Sequence, residues 1–250
     1  MEFHLKKSLG QNFLKDQNIL RKEVSVANVT GKKVLEIGPG DGGLTQMILE
    51  ANPSRLTVIE KDERFAYLLK DKFKTTISIV KDDFLKHEFT DDFDVIIGNI
   101  PYYITSPIIF KVKDMKFERA VFIVQKEFAM KMIANPNDSN YGRLSVTSQL
   151  FFEVKYIQTI SRRVFSPVPR VDSAMIELKR TNSKLDSFDQ DIVRYLFQHK
   201  NQSVKKSLGH SKQFSKEQLE KLNDYSKVKV RTLTKEEVLK IVGIMKESKK

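Results

Sequence analysis

The chain has 250 residues, no cysteine, and 44 Lys+Arg against 32 Asp+Glu, for a formal net charge of +12. That length holds one large domain or a catalytic domain with a small appendage. Without cysteine there is no disulfide framework and no Cys-ligated zinc, and the positive charge favours a phosphate backbone or an anionic membrane surface as partner.

The four histidines, His4, His87, His199 and His210, show no metal-ligand spacing. No stretch approaches the ~20 apolar residues of a membrane span, and residues 1–7 lack the apolar region of a signal peptide. A soluble, cytoplasmic protein without a membrane partner and without metal is therefore expected.

In chain order, Ile19, Leu20, Val24 and Ala27 form the apolar face of a first helix, which Gly31 should close. Short apolar runs at 33–37, 55–59, 76–80, 93–97 and 120–124 read as strands. They alternate with helices carrying Leu44, Met47 and Ile48, then at 62–72, 105–112 and 126–134. This rhythm implies a doubly wound, mostly parallel sheet with right-handed crossovers. After a polar loop at 135–140 and a helix at 142–150 the pattern changes. Strands at 152–160 and 173–179 flank a Pro-rich loop too short for a crossover helix, so an antiparallel hairpin at the sheet edge is expected. Past Arg180 the strands stop. A helical face at Phe188, Ile192, Leu196 and Phe197 is followed by possible capping boxes at Ser215 with Gln218 and at Thr234 with Glu237. The boundary is placed at 180/181, between a catalytic α/β domain (1–180) and a small basic helical domain (181–250). The second carries 16 Lys+Arg against 9 Asp+Glu, including the run from Gln198 to Lys206.

Two stretches carry chemistry. Gly38, Gly40, Gly42 and Gly43 follow the first strand, where glycine lets backbone approach a ligand, and Glu60 ends the second strand about 20 residues on, where an acid can accept both hydroxyls of a ribose. This pairing suits NAD, FAD and S-adenosylmethionine equally; its bland alternative is a tight turn beside an exposed Glu. A P-loop is excluded, because Leu44-Thr45 follows the glycines directly. Asp82, ending the third strand, can accept from an adenine amine or simply cap a helix. The second stretch is Asn99-Ile100-Pro101-Tyr102, just beyond the fourth strand. An exocyclic adenine amine is a poor nucleophile because its lone pair is delocalised into the ring. An Asn99 oxygen and the Ile100 carbonyl could accept its two N–H bonds, favour a pyramidal nitrogen and aim the lone pair at a methyl sulfonium. Pro101 fixes the bend, and Tyr102 offers a face on which a base can stack.

Five ordered blocks carry a resemblance. They are Gly10-Gln11-Asn12-Phe13-Leu14, Glu36-Ile37-Gly38-Pro39-Gly40, Asn99-Ile100-Pro101-Tyr102, Tyr141-Gly142-Arg143-Leu144-Ser145, and the block from Phe165-Ser166-Pro167 to Asp172-Ser173. Together they resemble the small-subunit ribosomal RNA adenine dimethyltransferases, the kasugamycin-resistance family, and the basic run near His199 looks like the archaeal and eukaryotic branch. The resemblance implies a class I methyltransferase domain, with a seven-stranded sheet, plus a small helical domain, acting on the small ribosomal subunit; a monomer is the expected state, though nothing in the sequence fixes it. It implies S-adenosylmethionine contacts from Asn12, Leu14, Gly38, Glu60, Asp82 and Asn99. The target adenine would be held by Asn99 and Tyr102, with Phe165 on its other face, and Lys200, Lys205 and Lys206 would meet rRNA phosphates. The implied activity is dimethylation of two adjacent adenosines in the 3′-terminal hairpin loop of small-subunit rRNA. Tyr103 stands where the family often has Asn, Lys or Gln, and Ile100 where Leu is commoner. The alternatives are the macrolide-resistance branch, which methylates large-subunit rRNA and which the Pro-rich block argues against, and a non-catalytic ribosome-assembly factor that keeps the fold.

Overall fold

Four runs, Lys33–Ile37, Arg55–Ile59, Val95–Asn99 and Arg119–Gln125, are mostly apolar and, apart from end residues, buried. Strands covered on both faces are the natural centre of a parallel sheet. The computed structural model describes residues 12–247, so Gly10 and Gln11 of the first motif lie outside the described residues. The elements run β1 (Phe13–Leu14), α1 (Gln17–Ala27), β2 (Lys33–Ile37), α2 (Gly43–Glu50), β3 (Arg55–Ile59), α3 (Glu63–Phe73), β4 (Ser78–Val80), β5 (Val95–Asn99), α4 (Thr105–Val112), β6 (Arg119–Gln125) and α5 (Lys126–Met132). They continue with α6 (Arg143–Phe151), β7 (Phe152–Ile160), β8 (Phe165–Ser166), β9 (Ser173–Arg180), α7 (Ser187–Gln198), α8 (Val204–His210), α9 (Lys216–Glu220) and α10 (Lys235–Glu247).

The main sheet has seven strands in the order β4-β3-β2-β5-β6-β9-β7. The first five are parallel, and β9 lies antiparallel beside β6 with Ile123 opposite Met175. Strand β7 takes the edge beyond β9, as the hairpin reading expects. The order reverses at β2, whose neighbours are β3 on one side and β5 on the other. In an open α/β sheet the carboxyl ends of such a pair are where ligands gather.

Three expectations need correction. Helix α1 ends at Asn28, in the left-handed region at φ 52°, whose N–H donates to the Val24 carbonyl; Gly31 instead turns the chain into β2. The third strand starts at Ser78, not 76, because the Thr76 N–H still donates to the Phe73 carbonyl in the turn that ends α3. The fourth is shifted by two residues, Val95–Asn99 in place of 93–97, so Asn99 is its last member, opposite Ile123. A second, two-stranded sheet, β1 with β8, was not expected at all.

The chain folds as two compact units. One runs to Ala129 and resumes over Val154–Arg180; the other joins Met130–Glu153 to the described residues from Thr181 onward. The expected boundary at 180/181 is thus only one of three crossings. In the helical unit Ala134, Tyr141, Val146 and Leu150 share a core with Ile192, Leu196, Leu208, Val238 and Ile241. Both expected capping boxes form, Ser215 with Gln218 and Thr234 with Glu237. A third, Asp186 with Asp189, opens α7. Among the described residues no helix is long and apolar enough to cross a membrane.

Candidate active site

At the carboxyl ends of β2 and β5 the two backbones come unusually close. A Cβ on Gly98 would stand 2.5 Å from the Ile37 carbonyl oxygen, a contact no side chain can make, so only glycine lets β5 pass. Beyond β2 the chain turns through Gly38, Gly40 and Gly42, all at positive φ. A Cβ on Gly40 would also strike the Phe13 ring, at 2.5 Å, so the loop is seated directly against β1. These segments wall one continuous cavity. It is lined by every residue expected for the catalytic and cofactor sites: Asn12, Leu14, Gly38, Glu60, Asp82, Asn99, Ile100, Pro101, Tyr102 and Phe165.

Glu60 leaves the end of β3 and is held by two backbone donors. The Asp62 N–H gives to Oε1 at 2.7 Å and the Gly40 N–H to Oε2 at 3.2 Å. Each oxygen keeps a lone pair for a ligand hydroxyl. Burial raises the Glu60 pKa, and the backbone donors oppose that shift. Glu36, on β2, also faces the cavity. Its Oε2 accepts from Thr45 Oγ1 at 2.7 Å while Oε1 is buried without a partner among the described residues, and burial pushes its pKa up to about 8. Glu36 opens the Glu36–Gly40 motif, but nothing in the sequence marks it for a role.

The next wall carries two acids where the sequence reading chose one. Asp82 accepts the Asp83 N–H at 2.7 Å and pairs with His87 Nδ1 at 3.0 Å, a bond that lowers its pKa. Asp83 accepts from Lys61 Nζ at 2.7 Å and from the Leu85 N–H at 3.0 Å, and Lys61 holds its pKa down. Asp83 is the less exposed side chain, 17% against 46%. Adjacent acids alternate in direction, and sequence alone gave no means of ranking them.

On the opposite wall Asn99 is half-buried, and its Oδ1 is buried with no hydrogen-bond donor among the described residues. Such orphans are rare in native structures and mark a place for a ligand or water. Pro101 leads into a single 3₁₀ turn, Tyr102–Ile104, tied by the Ile104 N–H on the Pro101 carbonyl at 3.1 Å. The Tyr102 hydroxyl shares a hydrogen bond of 2.7 Å with Ser173 Oγ, so its ring is pinned to β9, and burial raises its pKa. Phe165, buried, reaches the same cavity from β8, where it pairs with Leu14 of β1. The unexpected ribbon thus joins the Asn12–Leu14 segment to the Phe165 wall.

Lys200, Lys205 and Lys206 belong to the helical unit and do not line this cavity. Lys200 Nζ donates to the Ser139 and Tyr141 carbonyls at 3.2 and 2.6 Å, so it closes the 135–142 loop. Lys205 donates to Asn223 Oδ1 at 2.9 Å, and Lys206 is exposed.

Comparison with known proteins settles the family. The sequence pattern described as "Ribosomal RNA adenine dimethylase" matches residues 2–247. This chain belongs to that family. It is 39% identical over 225 residues to "Ribosomal RNA small subunit methyltransferase A" of Aster yellows witches'-broom phytoplasma (strain AYWB), covering 85% of this chain and 84% of that one. It is 38% identical over 250 residues to the "Probable ribosomal RNA small subunit methyltransferase A" of Thermococcus onnurineus (strain NA1), covering 95% and 91%. Among solved structures, a dimethyladenosine transferase from Plasmodium falciparum superposes with a TM-score of 0.84 at 30% identity, covering 95% of this chain and 98% of that one. The seven-stranded α/β unit has the class I methyltransferase fold, and the dimethylase family makes the chain a methyltransferase.

Proposed function

We propose that this protein transfers methyl groups from S-adenosylmethionine to the exocyclic amine of two adjacent adenosines in the 3′-terminal hairpin loop of small-subunit rRNA. It does so in the cytoplasm, as a monomer, during small-subunit assembly. The observation that carries the reading is the Asn99 Oδ1: a buried acceptor with no donor among the described residues, at the switch point of the sheet.

The cavity fits the donor on its own chemistry. The half-satisfied Glu60 carboxylate offers acceptors to a ligand rich in donors and positive charge, and the Glu36 carboxyl, with Oε1 unpartnered among the described residues, adds a polar group to the same cavity. When bound, S-adenosylmethionine supplies an electrophilic methyl group. Glu60 would hold its ribose hydroxyls, the Gly38–Gly40 backbone would pass beside its methionine portion, and Asp82 or Asp83 would accept from its adenine amine. Asn12 and Leu14 would close the cavity from β1.

Asn99 Oδ1 and the Ile100 carbonyl accept hydrogen bonds from the two N–H groups of the target amine. Both acceptors point where positive charge grows as nitrogen takes the methyl, which is electrostatic catalysis by preorganised dipoles. Tyr102, fixed by Ser173, and Phe165 hold the two faces of the base. The extra proton on the methylated nitrogen passes to water, so no catalytic His or Cys is required. Lys205 and Lys206 meet rRNA phosphates from the helical unit; Lys200 supports the 135–142 loop from which that unit is built.

The test is methylation of purified small and large ribosomal subunits with a labelled methyl donor, followed by mapping of the modified bases. Label on two adjacent adenosines of small-subunit rRNA is expected. Label confined to large subunits, or none on either, overturns the proposal.

A further inference from the structure

Two consecutive tyrosines follow Pro101, and the structure treats them oppositely. Tyr102 is half-buried and pinned to Ser173. Tyr103 also lines the cavity but is 58% exposed, and among the described residues its hydroxyl makes no hydrogen bond and its ring meets no other ring. The cause is the 3₁₀ turn, on which successive side chains point about 120° apart. The turn that sends Tyr102 toward β9 therefore sends Tyr103 to the cavity rim. It is a firm mount, because Thr105 Oγ1 donates to the Pro101 and Tyr102 carbonyls at 3.3 and 3.2 Å. The Tyr103 hydroxyl also lies within electrostatic reach of the Lys61 ammonium, which is itself largely solvent-exposed. An exposed aromatic face at a cavity rim is what a base of single-stranded nucleic acid stacks on; the Lys61 ammonium beside it is already paired with Asp83.

We infer that Tyr103 is a positioning residue for RNA, stacking on the nucleotide next to the adenosine held in the cavity. The inference rests on the proposed adenosine methylation. It gives that reaction something the inner site lacks, since Tyr102 and Phe165 can hold one base at a time while two adjacent bases must be modified. The neighbour waiting its turn lies outside the cavity, and in this chain the residue at the rim is an exposed aromatic where the family often has Asn, Lys or Gln.

The experiment uses the full chain and an RNA hairpin bearing the two target adenosines, with 2-aminopurine replacing the one not in the cavity. Stacking on an aromatic ring quenches that base, so wild type and Tyr103→Phe should both quench its fluorescence while Tyr103→Ala does not. In steady-state methylation of the unmodified hairpin, Tyr103→Ala should raise the RNA KM by about 5- to 150-fold with kcat little changed, and Phe should restore it. Calorimetry with S-adenosylmethionine should give the same affinity for all three proteins. Equal RNA KM for wild type and Tyr103→Ala overturns the inference and leaves the methyltransferase reading standing. So does a fall in donor affinity matching the loss of activity, which makes Tyr103 a wall of the cofactor site. If wild type transfers no methyl group to any adenosine, the underlying reading fails, and this inference with it.

Discussion

Asn99 and Glu60 are both acceptors, yet they should fail in different ways when removed. Asn99 acts on a charge that exists only as the methyl group transfers, so Asn99→Ala should lower the single-turnover rate at saturating RNA and donor by ~10²–10³. Glu60 acts on a ground-state ligand. Glu60→Ala should weaken donor binding by the ~1.5–3 kcal/mol of a hydrogen bond to a charged group, read by titration calorimetry. An Asn99→Ala enzyme as fast as wild type, or a Glu60→Ala enzyme with unchanged donor affinity, would remove the corresponding role. At this scale the sequence was informative wherever a residue type has one chemical use in its place, as for Asn99 before Pro101 or Glu60 at a strand end. It was silent where contact decides. Nothing in the spelling ties Tyr102 to Ser173, ranks Asp83 against Asp82, or spends Lys200 on the Ser139 and Tyr141 carbonyls.

Helix α1 buries Leu20, Glu23, Val24 and Ala27, so a glutamate stands within its apolar stripe. Among the described residues both Glu23 carboxylate oxygens are buried without a partner, and burial, with Glu36 adding to it, holds its pKa well above the ordinary 4.5. Glu36, in the neighbouring β2, is pushed up to about 8. The folded protein therefore keeps these protons to higher pH than the unfolded chain does. Their stability is complete below about 4.5, and for Glu36 it is lost as the pH rises toward about 8. Melting temperature should fall from pH 5.5 to pH 8.5. Glu23→Met should raise it, by the equivalent of ~1–3 kcal/mol, and by more at pH 8.5 than at 5.5. Thermal melts at the two pH values decide this, and a variant less stable than wild type at pH 8.5 would refute it. The element pattern itself was largely legible, because a buried parallel strand is a run of Val, Ile and Leu whatever lies around it. The β1–β8 ribbon was not, since two residues carry no periodicity and their pairing is decided across 150 residues of chain.

The sequence boundary at 180/181 follows composition, and composition misses a return of the chain. Residues 130–153 sit between α/β elements and carry helical patterning, so they read as one more crossover, but they pack with the C-terminal helices. The helical unit is the proposed carrier of phosphate contacts, and of the three lysines expected there only Lys205 and Lys206 remain candidates. Replacing both with Ala should reduce the slope of log K against log salt for rRNA binding by up to ~2 units, taking ~0.7–0.9 per contact. An unaltered slope would make them a solvated surface. The interleaved core has another consequence, for limited proteolysis. Lys184 is exposed in the segment between β9 and α7, outside any regular element. Trypsin cutting there should give two bands on a denaturing gel and still one peak on size exclusion, because each fragment holds part of the same hydrophobic core. Expressed alone, the fragment from residue 185 onward should be unfolded by circular dichroism, and adding the complementary fragment should restore its helices.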